Sequence, residues 1–257
     1  MGKNTGIECS DHTWNPWIGC RPVSTGCSKC YMFRDVVRYG HNPTVIRRAQ
    51  PLTFKAPLRW QDPALVFVCS WSDFFIHRAD SWRAEAWEII RRTPHLTYQI
   101  VTKRPERLSF CLPNDWGRGY PNVWLGVSVE NQLAVDSRIP TLLATPASLH
   151  FVAYEPALEP VDLSSYLTAY SKGERTIDWV FCGGESGPDA RPMEMEWARA
   201  VRDQCAKTDV PFFLRQLGGE TSRRGWDEAL LDGQLWHEMP LYNVIEPDKP
   251  PEQLSLF

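Results

Sequence analysis

Three cysteines stand within eleven residues in the stretch GCRPVSTGCSKCY, Gly19 to Tyr31. Six residues separate Cys20 from Cys27, and two separate Cys27 from Cys30. Thiolates this close in sequence are ligands for soft metals, and two chemistries fit. A structural zinc needs four ligands, and His12, Cys9 or His41 would complete the set. An iron–sulfur cluster held by three thiolates leaves one iron open, which reaction chemistry requires and a staple avoids. Spacing alone leaves both readings open. Three buried, unligated thiols fit less well, because the Gly, Ser, Lys and Arg around them mark an exposed loop.

Other polar residues recur in a pattern that could surround such a centre. They close short apolar runs: Ser70, Ser72 and Asp73 after ALVFV, then Thr102, Lys103 and Arg104 after LTYQIV. Ser128 and Glu130 end the next run, Glu155 the one after, and Gly183 to Ser186 and then Arg215 and Gln216 the last two. Trp71 and Trp124 lie near the same strands, in stacking or core positions.

The runs themselves (64–73, 96–105, 122–130, 149–156, 178–186 and 210–218) start roughly 26 to 32 residues apart, the length of a βα unit. Their near-continuous apolar character suits strands covered on both faces, as in a parallel sheet. Between them, ADSWRAEAWEIIRRT and EMEWARAVRDQCAKT read as amphipathic helices. Trp82, Ala86, Ile89 and Ile90 would face the core from the first, and Trp197, Ala200, Val201 and Cys205 from the second. With a first strand near HTWNPW there are seven strands. A complete or partial TIM-type (β/α) barrel over residues 1–218 fits best, although a doubly wound sheet shares the pattern. The polar residues then gather at the carboxyl-end mouth, where parallel barrels build their sites. Residues 219–245 form a small C-terminal extension with a hairpin signal in LDGQLW, and 246–257 read as a flexible Pro- and Glu-rich tail.

Composition narrows the partners. The net charge of −3 gives no global basic field, so any contact with nucleic acid must be local. No apolar run reaches the length of a membrane span, and the first residues lack a signal-peptide core. MGKNTG has Gly at the sixth position, where a myristoylation signal wants Ser or Thr. The expectation is a cytoplasmic protein without a membrane partner, in which eight cysteines do not form a disulfide framework. The 43% hydrophobic content is enough for a sizeable core. A metal-dependent barrel hydrolase ranks last, because the strand ends carry no histidine cluster.

The cysteine motif follows the first strand, as in radical S-adenosylmethionine enzymes, and the chain resembles that superfamily. The first gap is longer here than the superfamily's usual three residues, and Lys29 stands where an aromatic usually precedes the last cysteine. A closer resemblance rests on TGIE, HTWNPWIGC, GCSKCY, TKRPERL, PNVWLGVSVE, GGESGPDARPM and VPFFLRQLG. With these motifs the chain is similar to the bacterial and phage three-Cys-motif family, which is radical-S-adenosylmethionine-like. Cys9 is an additional thiol, at a position where that family often has Trp.

The resemblance implies that Cys20, Cys27 and Cys30 hold a 4Fe–4S cluster whose open iron chelates S-adenosylmethionine. One electron from a donor would then cleave the sulfonium, and the resulting 5′-deoxyadenosyl radical would abstract hydrogen from a substrate. CGGES is similar to the superfamily's Gly-Gly-Glu, which receives the methionine amino group. The cofactor candidates are therefore Ser70, Ser72, Asp73, Ser128, Glu130, Glu155, Gly183, Gly184 and Glu185. Lys103, Arg104, Arg191, Arg215 and Gln216 are candidates for holding substrate phosphates. Cys69, Cys182 and Tyr154 end strands and are candidate hydrogen-atom donors.

The terminal EQLSLF resembles the peptide that docks bacterial replication and repair proteins on the DNA polymerase sliding clamp, through Gln253, Leu254, Leu256 and Phe257. Tethering of this kind raises local concentration at DNA without a basic surface. The expected function is a radical-type iron–sulfur enzyme acting on DNA or a nucleobase, in repair or base modification. The alternative is a non-enzymatic, zinc-stapled protein that binds DNA or a clamp-associated partner.

Overall fold

A computed structural model describes residues 7–168, 174–219 and 229–241. The seven strands run β1 (His12–Trp14), β2 (Ala64–Val68), β3 (Leu96–Thr102), β4 (Val123–Ser128), β5 (Leu149–Tyr154), β6 (Trp179–Gly183) and β7 (Phe212–Gln216). They form one sheet in sequence order, and every neighbouring pair is parallel. The sheet is a curled half-barrel that does not close, which is the partial form of the expected TIM-type barrel.

Alternation along each strand feeds two cores. One face carries Val66, Ile100, Val127, Val152 and Leu214 against the helices. The other carries Phe67, Trp124, Phe151, Trp179 and Phe213 inside the curl, where Ile7 and Cys9 pack with them. Gly126 is required on this inner face, since a Cβ there would lie 2.4 Å from the Phe151 ring.

Four longer helices support the sheet: α1 (Tyr31–Arg38), α2 (Asp80–Arg91), α3 (Gln132–Ala144) and α4 (Met195–Ala206). The α3 start is capped by Asn131, whose Oδ1 accepts from Ala134 N at 2.9 Å. α2 buries Ala86, Ile89 and Ile90 as expected, with Trp82 half-buried against the core. In α4 the buried stripe is Ala198, Val201 and Cys205, with Trp197 half-buried, and Ala200 is exposed. A small apolar residue says little about which face it occupies, and here the stripe is centred one step round the helix.

LDGQLW forms the hairpin, pairing Leu230–Leu231 with Gln234–Leu235 across Asp232 and Gly233, both at positive φ as a tight turn requires. The chain beyond it covers the outer edge of β7, where Leu214 N donates to Trp236 O at 2.7 Å and Glu238 N to Phe212 O at 3.1 Å. Among the described residues no helix is long and apolar enough to cross a membrane. Gln253, Leu254, Leu256 and Phe257 lie outside the described residues.

Candidate functional site

The parallel topology delivers the strand ends to one place. Cys20, Cys27 and Cys30 line a pocket there with Ser70, Ser72 and Asp73 from behind β2 and with Lys103 and Arg104 from behind β3. Ser128 of β4, Glu155 after β5, Gly184 and Glu185 after β6, and Arg215 and Gln216 of β7 complete the polar wall. The space, including its open mouth, is about 1030 Å³. Phe67, Val101, Ala153 and Phe181 of the inner face also line it, so its wall is apolar as well as polar. Gly183, Glu130 and Arg191 stand behind this lining.

The cysteine loop is held from several sides. Gly19 N donates to Trp71 O at 3.0 Å, and Ser72 Oγ donates back to Gly19 O at 2.6 Å. Gly19 has φ +100°, and a Cβ there would lie 2.6 Å from Val45 O, so only glycine fits. Arg104 reaches under the loop, donating to Arg21 O at 2.6 Å and to Cys20 Sγ at 3.8 Å. Tyr31 Oη donates to Ser70 O at 2.6 Å, tying the start of α1 to the β2 loop. Gly26, in the turn Thr25–Cys27, sits on Glu130, where a Cβ would lie 2.9 Å from Glu130 Cδ.

Each carboxylate at the mouth is matched by an arginine. Asp73 pairs with Arg104 at 3.0 Å, Glu130 with Arg138 at 2.8 Å, Glu155 with Arg215 at 2.5 Å and Glu185 with Arg191 at 2.6 Å. Asp73 is saturated further by Thr102 Oγ1, Lys103 N and Phe75 N. Gly183 lets β5 and β7 residues meet across β6, since a Cβ there would lie 3.3 Å from both Glu155 Cδ and Gln216 Cγ. Gly184 owes its identity to a closer approach, 2.3 Å between a would-be Cβ and Leu217 O. Both glycines thus have structural reasons within the strand ends. Lys29 and Lys103 are the cations left over. Lys29 donates to the Asp189 carbonyl, and Lys103 makes no salt bridge among the described residues while its charge acts on Cys30 and Glu130.

These surroundings set the ionisation. Burial opposes charge on Glu130, but hydrogen bonds from Ser24 and Arg138 and the Arg138 charge outweigh it and hold the carboxyl below its usual range. Burial likewise opposes charge on Glu185, and its hydrogen bonds to Arg191 win. Burial pushes the Cys20 thiol up to about 11, with Asp73 adding to the rise and Arg104 opposing it. Cys30 is raised by burial too. A bound cation is what converts such thiols to thiolates. All three cysteines are free, and they line one pocket with room beside them. Among the described residues no three His, Cys, Asp or Glu side chains are placed to share a single metal ion. Of the residues offered as a fourth zinc ligand, His12 stacks on Trp60, Cys9 is buried inside the curl within electrostatic reach of Arg215 and Glu155, and His41 is exposed beyond α1.

Of the three candidate hydrogen-atom donors, only Cys69 lines the pocket, and it does so in a left-handed backbone conformation, φ 62°. Tyr154 donates instead to the Glu159 carbonyl, and Cys182 Sγ faces Met193 Sδ at 3.9 Å on the helix side. Trp124 packs against Trp179 in the inner core, whereas the Trp71 ring packs on Tyr39 and is not among the lining residues, although Ser70 and Ser72 on either side are. The site includes Gly26, Lys29, Tyr31 and Arg138, none of which the strand-end pattern singles out. Lys29 and Tyr31 flank Cys30 directly, which is the signal that points to them. Arg138 enters from the helix after β4, and nothing local in the sequence marks it as the partner of Glu130.

A family model described as a protein of unknown function, DUF5131, matches residues 4–240, and the chain belongs to that family. No curated protein and no solved structure matches it.

Proposed function

We propose that the protein is a radical S-adenosylmethionine-type iron–sulfur enzyme that acts on DNA or a nucleobase and is recruited by the sliding clamp through its C-terminal tail. The observation that carries this reading is the convergence of Cys20, Cys27 and Cys30 with the polar strand ends on one pocket of a parallel half-barrel. Cys20, Cys27 and Cys30 would hold the cluster, which supplies an electron for reductive cleavage of the cofactor's sulfonium. The chain's own residues hold and shield that centre. Arg104 and Glu130 fix the cysteine loop from beneath, and Phe67, Val101, Ala153 and Phe181 keep water from one side of the pocket. Lys103 offers an unmatched positive charge to an anionic group of cofactor or substrate.

Anaerobic purification and reconstitution test the reading. The expected result is a brown protein carrying about four irons per chain that cleaves S-adenosylmethionine once reduced. Serine at Cys20, Cys27 or Cys30 should remove the colour and the cleavage together. A colourless protein with one stoichiometric zinc would end the radical proposal.

A further inference from the structure

The chain carries a net charge of −3, yet one segment runs strongly the other way. Gly19 to Arg48 contains Arg21, Lys29, Arg34, Arg38, Arg47 and Arg48 against Asp35 alone. This segment is the cysteine loop, α1 and the short strand Arg47–Arg48, so the basic excess is carried by the stretch that holds the three cysteines. Asp35 is shared by Arg34 at 2.9 Å and Arg38 at 3.7 Å, and Arg48 reaches Glu85. Arg21, Lys29 and Arg38 are exposed.

The same segment shows apolar side chains to solvent where a folded surface would ordinarily hide them. Tyr39, at the C-terminal end of α1, is 66% exposed, and Val37 and Val45 are 58% and 50% exposed. The Tyr39 ring leans on Trp71, with centroids 5.7 Å apart and planes inclined at 40°. Trp71 lies between Ser70 and Ser72, which line the pocket, and its carbonyl receives Gly19 N from the cysteine loop. An aromatic pair therefore lies where the basic segment meets the loop after β2 that holds Gly19.

We propose that Tyr39 and Trp71, with Arg21, Lys29 and Arg38, form a landing surface for single-stranded nucleic acid that leads a base to the pocket. Phosphates complement a local positive charge on an otherwise acidic protein, and exposed aromatic rings offer faces on which unpaired bases stack. A duplex hides its base faces, so the tilted ring pair selects single strands, or the extruded base of a duplex. This names the substrate form for the site proposed above and rests on that reading for the chemistry alone; binding needs no cluster.

The test uses the full chain without cluster and a fluorescein-labelled 16-nucleotide DNA, read by anisotropy across a salt series. The single strand should bind more tightly than the matching duplex. Tyr39→Ala should weaken single-strand binding roughly 5- to 150-fold, the range set by loss of one stacked base, while Tyr39→Phe retains it. Arg21→Ser and Arg38→Ser should each lower the slope of log K against log salt by about 1 in magnitude, or slightly less, if each meets one phosphate. Circular dichroism of each variant establishes that it is folded, and Tyr39 and Arg38 are exposed enough to be replaced safely. Equal binding by wild type and Tyr39→Ala, or duplex bound as tightly as single strand, overturns the proposal. So does equally strong, Tyr39-dependent binding to vesicles containing phosphatidylserine, which would assign the surface to a membrane. Iron content after reconstitution is measured on the same variants. Failure of cluster loading with DNA binding intact would overturn only the iron–sulfur reading, and the reverse result only the landing surface.

Discussion

Replacing Asp73 with alanine tests whether the cysteine loop is held by the charge pair beneath it. Asp73 is 5% exposed and Arg104 7% exposed, and they meet at 3.0 Å. The carboxylate also accepts from Thr102 Oγ1 at 2.8 and 2.9 Å, from Phe75 N at 2.9 Å and from Lys103 N at 3.1 Å. Asp73→Ala leaves a buried guanidinium and two backbone N–H groups without their acceptor. Breaking a buried pair from one side costs about 3–5 kcal/mol. Arg104→Met leaves Asp73 with neutral donors only and should cost less, about 1.5–3 kcal/mol for the charged hydrogen bond lost. The double variant holds no stranded charge, so its cost should fall below the sum of the singles by roughly 0.5–3 kcal/mol. Urea titration of the reduced, cluster-free protein, followed by near-ultraviolet circular dichroism, gives all three values. The thiol-labelling rate at Cys20 should fall with Arg104→Met, because the guanidinium that donates to its sulfur opposes the rise in its pKa, and its loss leaves less thiolate. Strict additivity, or a cost for Asp73→Ala below about 1 kcal/mol, would refute the reasoning.

Two glycines separate support of the loop from support of the fold. A Cβ at Gly26 meets Glu130 Cδ at 2.9 Å, so Gly26→Ala should displace the loop and lower the iron retained after reconstitution. Gly184→Ala meets Leu217 O at 2.3 Å and should destabilise the fold by about 1–3 kcal/mol while iron per folded chain stays unchanged. Acid titration addresses Glu185, whose folded pKa lies below its ordinary value. Its stabilisation is complete above the unfolded pKa of about 4.3 and is lost as pH falls through the folded value. Arg191→Gln leaves burial to raise that carboxyl, so the acid-unfolding midpoint should move to higher pH; an unmoved midpoint would discount the pair. Deleting residues 253–257 should abolish binding to a bacterial sliding clamp in surface plasmon resonance, and unchanged binding would remove the clamp from the proposal.

The strands were legible because burial on both faces writes itself as a continuous apolar run, and all seven expected strands are found in sequence order. The convergence of Ser70, Lys103, Ser128, Glu155 and Arg215 was legible for a related reason: in a parallel sheet the carboxyl ends share one edge. The pairing of the charges was not. Asp73 and Arg104 follow adjacent strands, but Glu155 reaches Arg215 across β6, past a glycine at 183 whose Cβ would crowd Glu155. Such matches depend on strand order and on side-chain reach, neither of which leaves a periodic trace. The pair Tyr39 and Trp71 was hidden likewise, because a tryptophan between two serines reads equally as core or rim.

The anchoring of the cysteine loop bears on what a metal held there would be for. A structural zinc contributes folding energy where a short segment has few other reasons to be ordered. This loop has them in number: the Gly19 hydrogen bonds to Trp71 and Ser72, the Arg104 contact to Arg21, the Tyr31 bond to Ser70 and the packing of Gly26 on Glu130. These anchors run to the loop after β2 and to residues after β3 and β4, and behind them lies a core with Trp14, Trp17, Phe54 and Phe74 fully buried. A staple there would add little to an order already set by side chains. Preorganised ligands are instead what a reactive centre needs, since they keep its open position aimed at the pocket while cofactor and product exchange. Metal-free protein should unfold at nearly the same urea concentration as reconstituted protein lacking cofactor, once iron rebinding is blocked by a chelator. A large drop in the midpoint on metal removal would return the three cysteines to the role of a staple.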